Sequence, residues 1–72
     1  MNWDRIEGNW KHLKGRLRET WGKLTDDEFE KIAGNREQLV GRLQQSYGVA
    51  RDEAEKQVDA FQSRCERDRW VQ

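Results

Sequence analysis

The side chains of this 72-residue chain that could carry catalytic chemistry are few. His12 is the sole histidine and Cys65 the sole cysteine. Catalysis needs a nucleophile, a base or a metal converging in a pocket, and neither residue has a companion at a suitable spacing. A single thiol builds no disulfide framework and no cysteine-based metal site. At a helical position it reads as a small apolar residue. His12 falls well round the helix from Trp10, Leu13 and Leu17, so it is expected in solvent. The carboxylates Glu28 and Glu30, or Asp52 and Glu55, are spaced for acid–base work. They sit at helix starts, however, where acids serve the helix dipole and surface ion pairs. No catalytic residue, cofactor or metal is expected, and a bundle this small is expected to leave little volume for a ligand cleft.

Charge offers the remaining chemistry. Residues 1–24 carry six basic and three acidic side chains, whereas residues 25–30 hold four acids and no base. Lys11, Lys14 and Arg18 share one edge of the first helical segment, with Arg5 and Arg16 on another side. Such an edge can contact phosphates of nucleic acid or lipid headgroups. Equally, it can be a solvated flank whose aliphatic stems cover aromatic rings. With 14 basic and 14 acidic residues the net charge is zero and the pI about 6.6. That balance lacks the basic footprint of a dedicated nucleic-acid binder. Gly8 and Gly15, seven residues apart, lie opposite the apolar stripe, and Gly41 likewise lies away from Leu39, Val40 and Leu43. Each costs about 1 kcal/mol against alanine inside a helix. Either another helix or a partner chain approaches there closely, or the cost is tolerated. Lys11, Lys14, Arg18, Gly8 and Gly15 are therefore the candidate interaction surface.

The elements that must position these residues are helical. Trp3, Ile6, Trp10, Leu13, Leu17 and Trp21 step by three or four, one apolar stripe on a helix predicted over residues 3–20, with Asn2 or Asp4 as its cap. A tryptophan stripe can be a stacking platform for bases or sugars. With only 33% hydrophobic residues in the chain, it is read as core. Trp21 to Glu28 then forms a corner, in which Thr25 and Glu28 make a capping box. The second helix presents Phe29, Ile32 and Ala33 and stops at Gly34. Asn35 caps a third helix carrying Leu39, Val40, Leu43 and Tyr47, which ends at Gly48. A fourth starts near Arg51 with Ala54, Val58, Phe61 and Cys65 inward. Its cap position falls on Ala50, a poor capping residue, and Val49 with Ala54 can form a hydrophobic staple. Residues 64–72 are mostly charged. The pattern leaves open whether they fray or Trp70 returns to the core.

Size and composition bound the rest. Seventy-two residues make one domain, spanning residues 1–72, near the lower limit for a core without disulfides or metals. The 39% of charged residues leans toward disorder. Zero net charge and four tryptophans, three of them on one helical stripe, oppose that reading. No signal peptide and no apolar run of membrane-spanning length is evident, so a cytoplasmic location and no membrane span are expected.

Laid out in this way, the chain resembles the CsbD-like family of small bacterial stress-response proteins. The resemblance is carried by Gly8-Asn9-Trp10-Lys11, Leu13-Lys14-Gly15 and Trp21-Gly22-Lys23-Leu24-Thr25-Asp26-Asp27. It continues through Gly34, Arg36, Gln38-Leu39-Val40-Gly41-Arg42, Gln44, Tyr47-Gly48 and Ala54-Glu55. It implies an all-α bundle of about four short helices, two helical hairpins packed crosswise, made in general stress responses. It supplies no catalytic residue. The expected function is non-enzymatic, a protective or interaction role with a protein partner or weak self-association. The alternative is a nucleic-acid-binding module using the basic edge.

Overall fold

The tryptophan stripe does form the wall of a core, but on a helix that is broken. The computed structural model describes residues 3–71, so Asn2, one candidate cap, and Gln72 lie outside the described residues. Five α-helices follow one another: α1 Trp3–Gly8, α2 Lys14–Thr20, α3 Asp26–Ile32, α4 Arg36–Tyr47 and α5 Arg51–Arg67. No strand occurs among the described residues.

In place of one helix over residues 3–20, a 3-10 turn, Trp10–Leu13, separates α1 from α2. The cause is local. Gly8 is a poor helix former, and Asn9 offers its side chain to the backbone, its Nδ2 donating to the Arg5 carbonyl at 2.7 Å. The Asn9 N–H is meanwhile shared between the carbonyls of Arg5 and Ile6, both at 3.1 Å. Tightening to three residues per turn aligns Trp10 with Leu13. The stripe survives the break: Ile6, Trp10, Leu13, Leu17 and Trp21 are all buried. Asp4 lies within α1 rather than ahead of it.

The corner is as the residues dictate. Thr25 Oγ1 accepts from the Glu28 N–H at 3.2 Å, and Glu28 Oε1 accepts from the Thr25 N–H at 3.2 Å. Asn35 Oδ1 caps α4 by accepting from the Gln38 N–H at 3.0 Å. Gly48, at φ 65°, ends it. The stop after α3 differs from expectation by one residue. Ala33 takes the left-handed cap conformation at φ 51°, and Gly34 follows at φ 79°. The reason is tertiary. A Cβ at Gly34 would stand 2.8 Å from Glu7 Cγ and 3.0 Å from Glu7 Cα, so this junction is pressed onto α1. Only glycine fits at 34, and the left-handed residue that ends the helix falls on alanine, which ordinarily avoids it.

α4 and α5, joined by residues 48–50, pack against each other most extensively. Leu39, Val40 and Leu43 meet Ala54, Val58, Phe61 and Cys65 in one core with the stripe, Leu24, Phe29 and Ile32. At the far end of α5 the tail turns back. The Trp70 N–H donates to the Cys65 carbonyl at 3.0 Å and the Arg69 N–H to that of Glu66 at 3.3 Å, with Arg69 left-handed at φ 56°. That pairing is a Schellman motif. It sets the Trp70 ring 6.0 Å from Phe61 and under the guanidiniums of Arg16 and Arg64, at 4.5 and 4.9 Å.

Ala50 occupies the cap of α5 and makes no side-chain cap bond. Two substitutions test the capping account in opposite directions. Thr25→Ala should lower the unfolding free energy by roughly 0.5–2 kcal/mol, and Ala50→Ser should raise it by a few tenths to about 1 kcal/mol. Urea denaturation midpoints of both variants check the pair; unchanged midpoints would remove the caps from the account.

Candidate functional site

The candidate surface is divided by the structure into two parts. Lys14 Nζ meets Glu30 Oε1 at 2.8 Å, and Arg18 NH1 meets Asp26 Oδ2 at 3.3 Å. The basic edge of the first helical segment therefore faces the acids of α3. Asp26, in the first turn of α3, thus serves both the positive end of that helix and Arg18, while Glu30 holds Lys14 from the next turn. The Lys14 hydrogen bond, then the Lys14 and Lys11 charges, hold the Glu30 carboxyl below its usual range, and the same bond raises Lys14. Glu30 thus adds stability above the ordinary carboxylate range, and this is lost as pH falls through its lowered native value. Glu30 is exposed and Lys14 half-buried, so the pair is screened by solvent and salt.

Lys11, Lys14 and Gly8 come together with His12, Glu7, Trp10, Glu30 and Ala33 around an open cleft of about 610 Å³. This corrects the expectation that so small a bundle leaves little room. Lys11 and His12 reach this lining from the 3-10 turn, and Gly8 from the end of α1. His12 is exposed, as its position on the helix implies. Trp10 contributes a wall and is otherwise committed to the core: its Nε1 donates to the Phe29 carbonyl at 2.8 Å. Arg18 and Gly15 are not among the residues lining this cleft.

The glycines separate in the same way. A Cβ at Gly8, Gly15 or Gly41 would meet nothing within 4 Å, so no helix of this chain approaches them. The glycine in close contact is Gly34, which spacing marked only as a helix stop. Its second role has no local signal, since the atom it meets belongs to Glu7, far away in sequence.

Cys65 is fully buried, and burial pushes its thiol up to about 11. It is a core residue at neutral pH, with little of the thiolate that nucleophiles and metal ligands require. Among the described residues no group of three or more His, Cys, Asp or Glu side chains is placed to hold a metal ion. None of the helices there is long and apolar enough to cross a membrane.

Gly15→Ala should stabilise the protein by roughly 0.4–1 kcal/mol, because the position is helical, open and freed of glycine's unfolded-state entropy. Gly34→Ala should destabilise it by about 1–3 kcal/mol, from strain at positive φ and the clash with Glu7. Thermal melts of the two variants should move in opposite directions. Sedimentation of Gly15→Ala then shows whether a second chain uses the open face, since association would weaken as the monomer gains stability.

A profile of the CsbD-like family matches residues 4–56, from α1 into α5. A UPF0337 protein of Rhodopirellula baltica is 71% identical over 65 residues, spanning 90% of this chain and 96% of its own. One of Nitrosomonas europaea is 59% identical over 66 residues, 92% of this chain and 70% of its own. The UPF0337 protein YjbJ of Escherichia coli O6:H1 is 51% identical over 64 residues, 89% of this chain and 93% of its own. With a matching profile over more than half its length and relatives aligned nearly end to end, the chain belongs to the CsbD-like family of small bacterial proteins.

Proposed function

We propose that residues 1–72 act as one non-catalytic domain in the bacterial cytoplasm during general stress, in a protective or interaction role exerted through weak polar contacts. The stress setting rests on the family likeness. The mode of action rests on one observation: no large hydrophobic side chain is exposed among the described residues, while the surface is laced with ion pairs. A protein that held unfolded clients by apolar surface would need a patch of a few hundred Å² or more. What this surface offers instead is charge of both signs and hydrogen-bonding groups, suited to contacts that are reversible and sensitive to salt.

The alternative, nucleic-acid binding by Lys11, Lys14 and Arg18, is the weaker reading. A phosphate would have to displace Glu30 from Lys14 and Asp26 from Arg18. Titrating the protein with generic DNA and RNA at rising salt separates the two. The proposed role predicts no saturable binding at about 150 mM salt, whereas phosphate recognition predicts measurable affinity that falls steeply with salt. Capture of partners from stressed cells, compared with a variant reversed in charge at Lys11, Lys14 and Arg18, then tests whether this edge carries the contacts.

A further inference from the structure

The cleft at the helix break has features that neither the core nor the capping scheme requires. Two ammonium-bearing side chains, Lys11 and Lys14, line it together with His12. At position 8 the absence of a side chain leaves open space on its wall. A mid-helix stretch of 3-10 geometry, such as the one supplying Lys11 and His12, often marks a functional position. At about 610 Å³ the space falls within the range of small-molecule sites, although it is open on one side.

An oxyanion already sits there. The Glu30 carboxylate is bonded to Lys14 at 2.8 Å, and the Lys11 charge also acts on it, holding its proton affinity down. The protein's own side chain thus shows that Lys14 binds a carboxylate here, with Lys11 on the same lining. Glu30 is 63% exposed in its side chain and Lys14 30%. Such a pair is weak enough to be exchanged for an incoming anion. Glu7, on the same lining, disfavours a second negative group, which restricts the ligand to one compact charged head.

We infer that this cleft binds the oxyanion of a small molecule, a carboxylate or a phosphate, which takes the place of the Glu30 carboxylate on Lys14 and is held jointly by Lys11. Glu30 then acts as an internal competitor that sets the threshold concentration for binding. This goes beyond the proposed role and does not depend on it, since a ligand site is compatible with any macromolecular contact elsewhere on the surface.

The test is a titration of the full chain with inorganic phosphate and, separately, acetate, at constant ionic strength held with sodium chloride. Proton–nitrogen correlation spectra follow the amides of Gly8, Lys11, His12 and Lys14. Saturable shifts of these amides with either anion support the site, and the more effective anion identifies the group it prefers. Glu30→Gln should tighten binding a few-fold by removing the competitor, the scale of an exposed ion pair. The double variant Lys11→Gln with Lys14→Gln should abolish saturation, while Arg18→Gln, on the same edge but outside the cleft, should leave the affinity unchanged. All these positions are exposed or half-buried, and a wild-type circular dichroism spectrum confirms that each variant is folded. Linear shifts with both anions would overturn the site. So would no tightening in Glu30→Gln, or equal weakening by Arg18→Gln, which would mean diffuse attraction to a basic edge.

Discussion

Burying an indole obliges its N–H to find an acceptor, and this fold is arranged around three such obligations. Trp3 Nε1 donates to the Gly34 carbonyl at 2.6 Å, Trp10 Nε1 to that of Phe29 at 2.8 Å, and Trp21 Nε1 to Gln57 Oε1 at 2.9 Å. The three acceptors lie in the α3–α4 junction, in α3 and in α5. One stripe therefore fixes where α3, its junction with α4, and α5 stand relative to the first helical segment. The rings supply the packing and the N–H groups supply the register. Trp10 meets Phe29 edge-on at 6.4 Å, and Trp21 meets Phe61 at 5.2 Å. No buried side-chain nitrogen or oxygen among the described residues lacks a partner. In a chain this short the unfolded state loses less surface on folding than in a large domain, so unsatisfied polar groups would be hard to offset.

A second economy lies in the acids of residues 25–30. Thr25 and Glu28 close the capping box, Asp26 and Asp27 face the positive end of α3, and Asp26 and Glu30 reach back to Arg18 and Lys14. Glu28 also lies 3.9 Å from Arg42 on α4. The basic excess of the first 24 residues is thereby answered inside the molecule. Each exposed pair contributes little stability alone. Together they decide what the surface shows to other molecules, which is mixed charge rather than a basic face. The same arrangement leaves Lys14 paired with Glu30 beside an open cleft that Lys11 also lines, the place where the surface departs from an evenly solvated shell.

The C-terminal turn completes the core from outside the matched family profile. Trp70 covers Phe61 and stands between Arg16 of α2 and Arg64 of α5. It joins α2 to α5 through aromatic and cation–π contacts that retain value at a partly exposed site. The left-handed Arg69 that makes this return possible is the residue a glycine would ordinarily replace. Together with Ala33 it marks the second helix end where tertiary packing prevails over local preference.

The amino-acid sequence by itself determined the later helices, the caps at Thr25 and Asn35, and the inward faces. Each of these depends on residues three or four positions apart: Thr25 with Glu28, Asn35 with Gln38, the stripe from Trp3 to Trp21, and Ala54 to Cys65. It also identified Lys11, Lys14 and Gly8 as surface residues worth watching, and His12 and Cys65 as residues without catalytic company. What it did not determine are the features that join distant positions. The break after Gly8 costs little because the Asn9 side chain replaces lost helix geometry, and a stripe stepping by three or four reads the same through a 3-10 turn. Gly34 signals a helix stop, while its contact with Glu7 exists only once α3 has folded back. Trp70 had two open fates until Phe61, Arg16 and Arg64 were placed around it. The lysines became a cleft, and the edge a set of ion pairs, only when α3 was laid alongside. Periodicity and capping are short-range and written in the order of residues; close approach, charge pairing and enclosed space arise from which helices meet, and only the tertiary structure decided that.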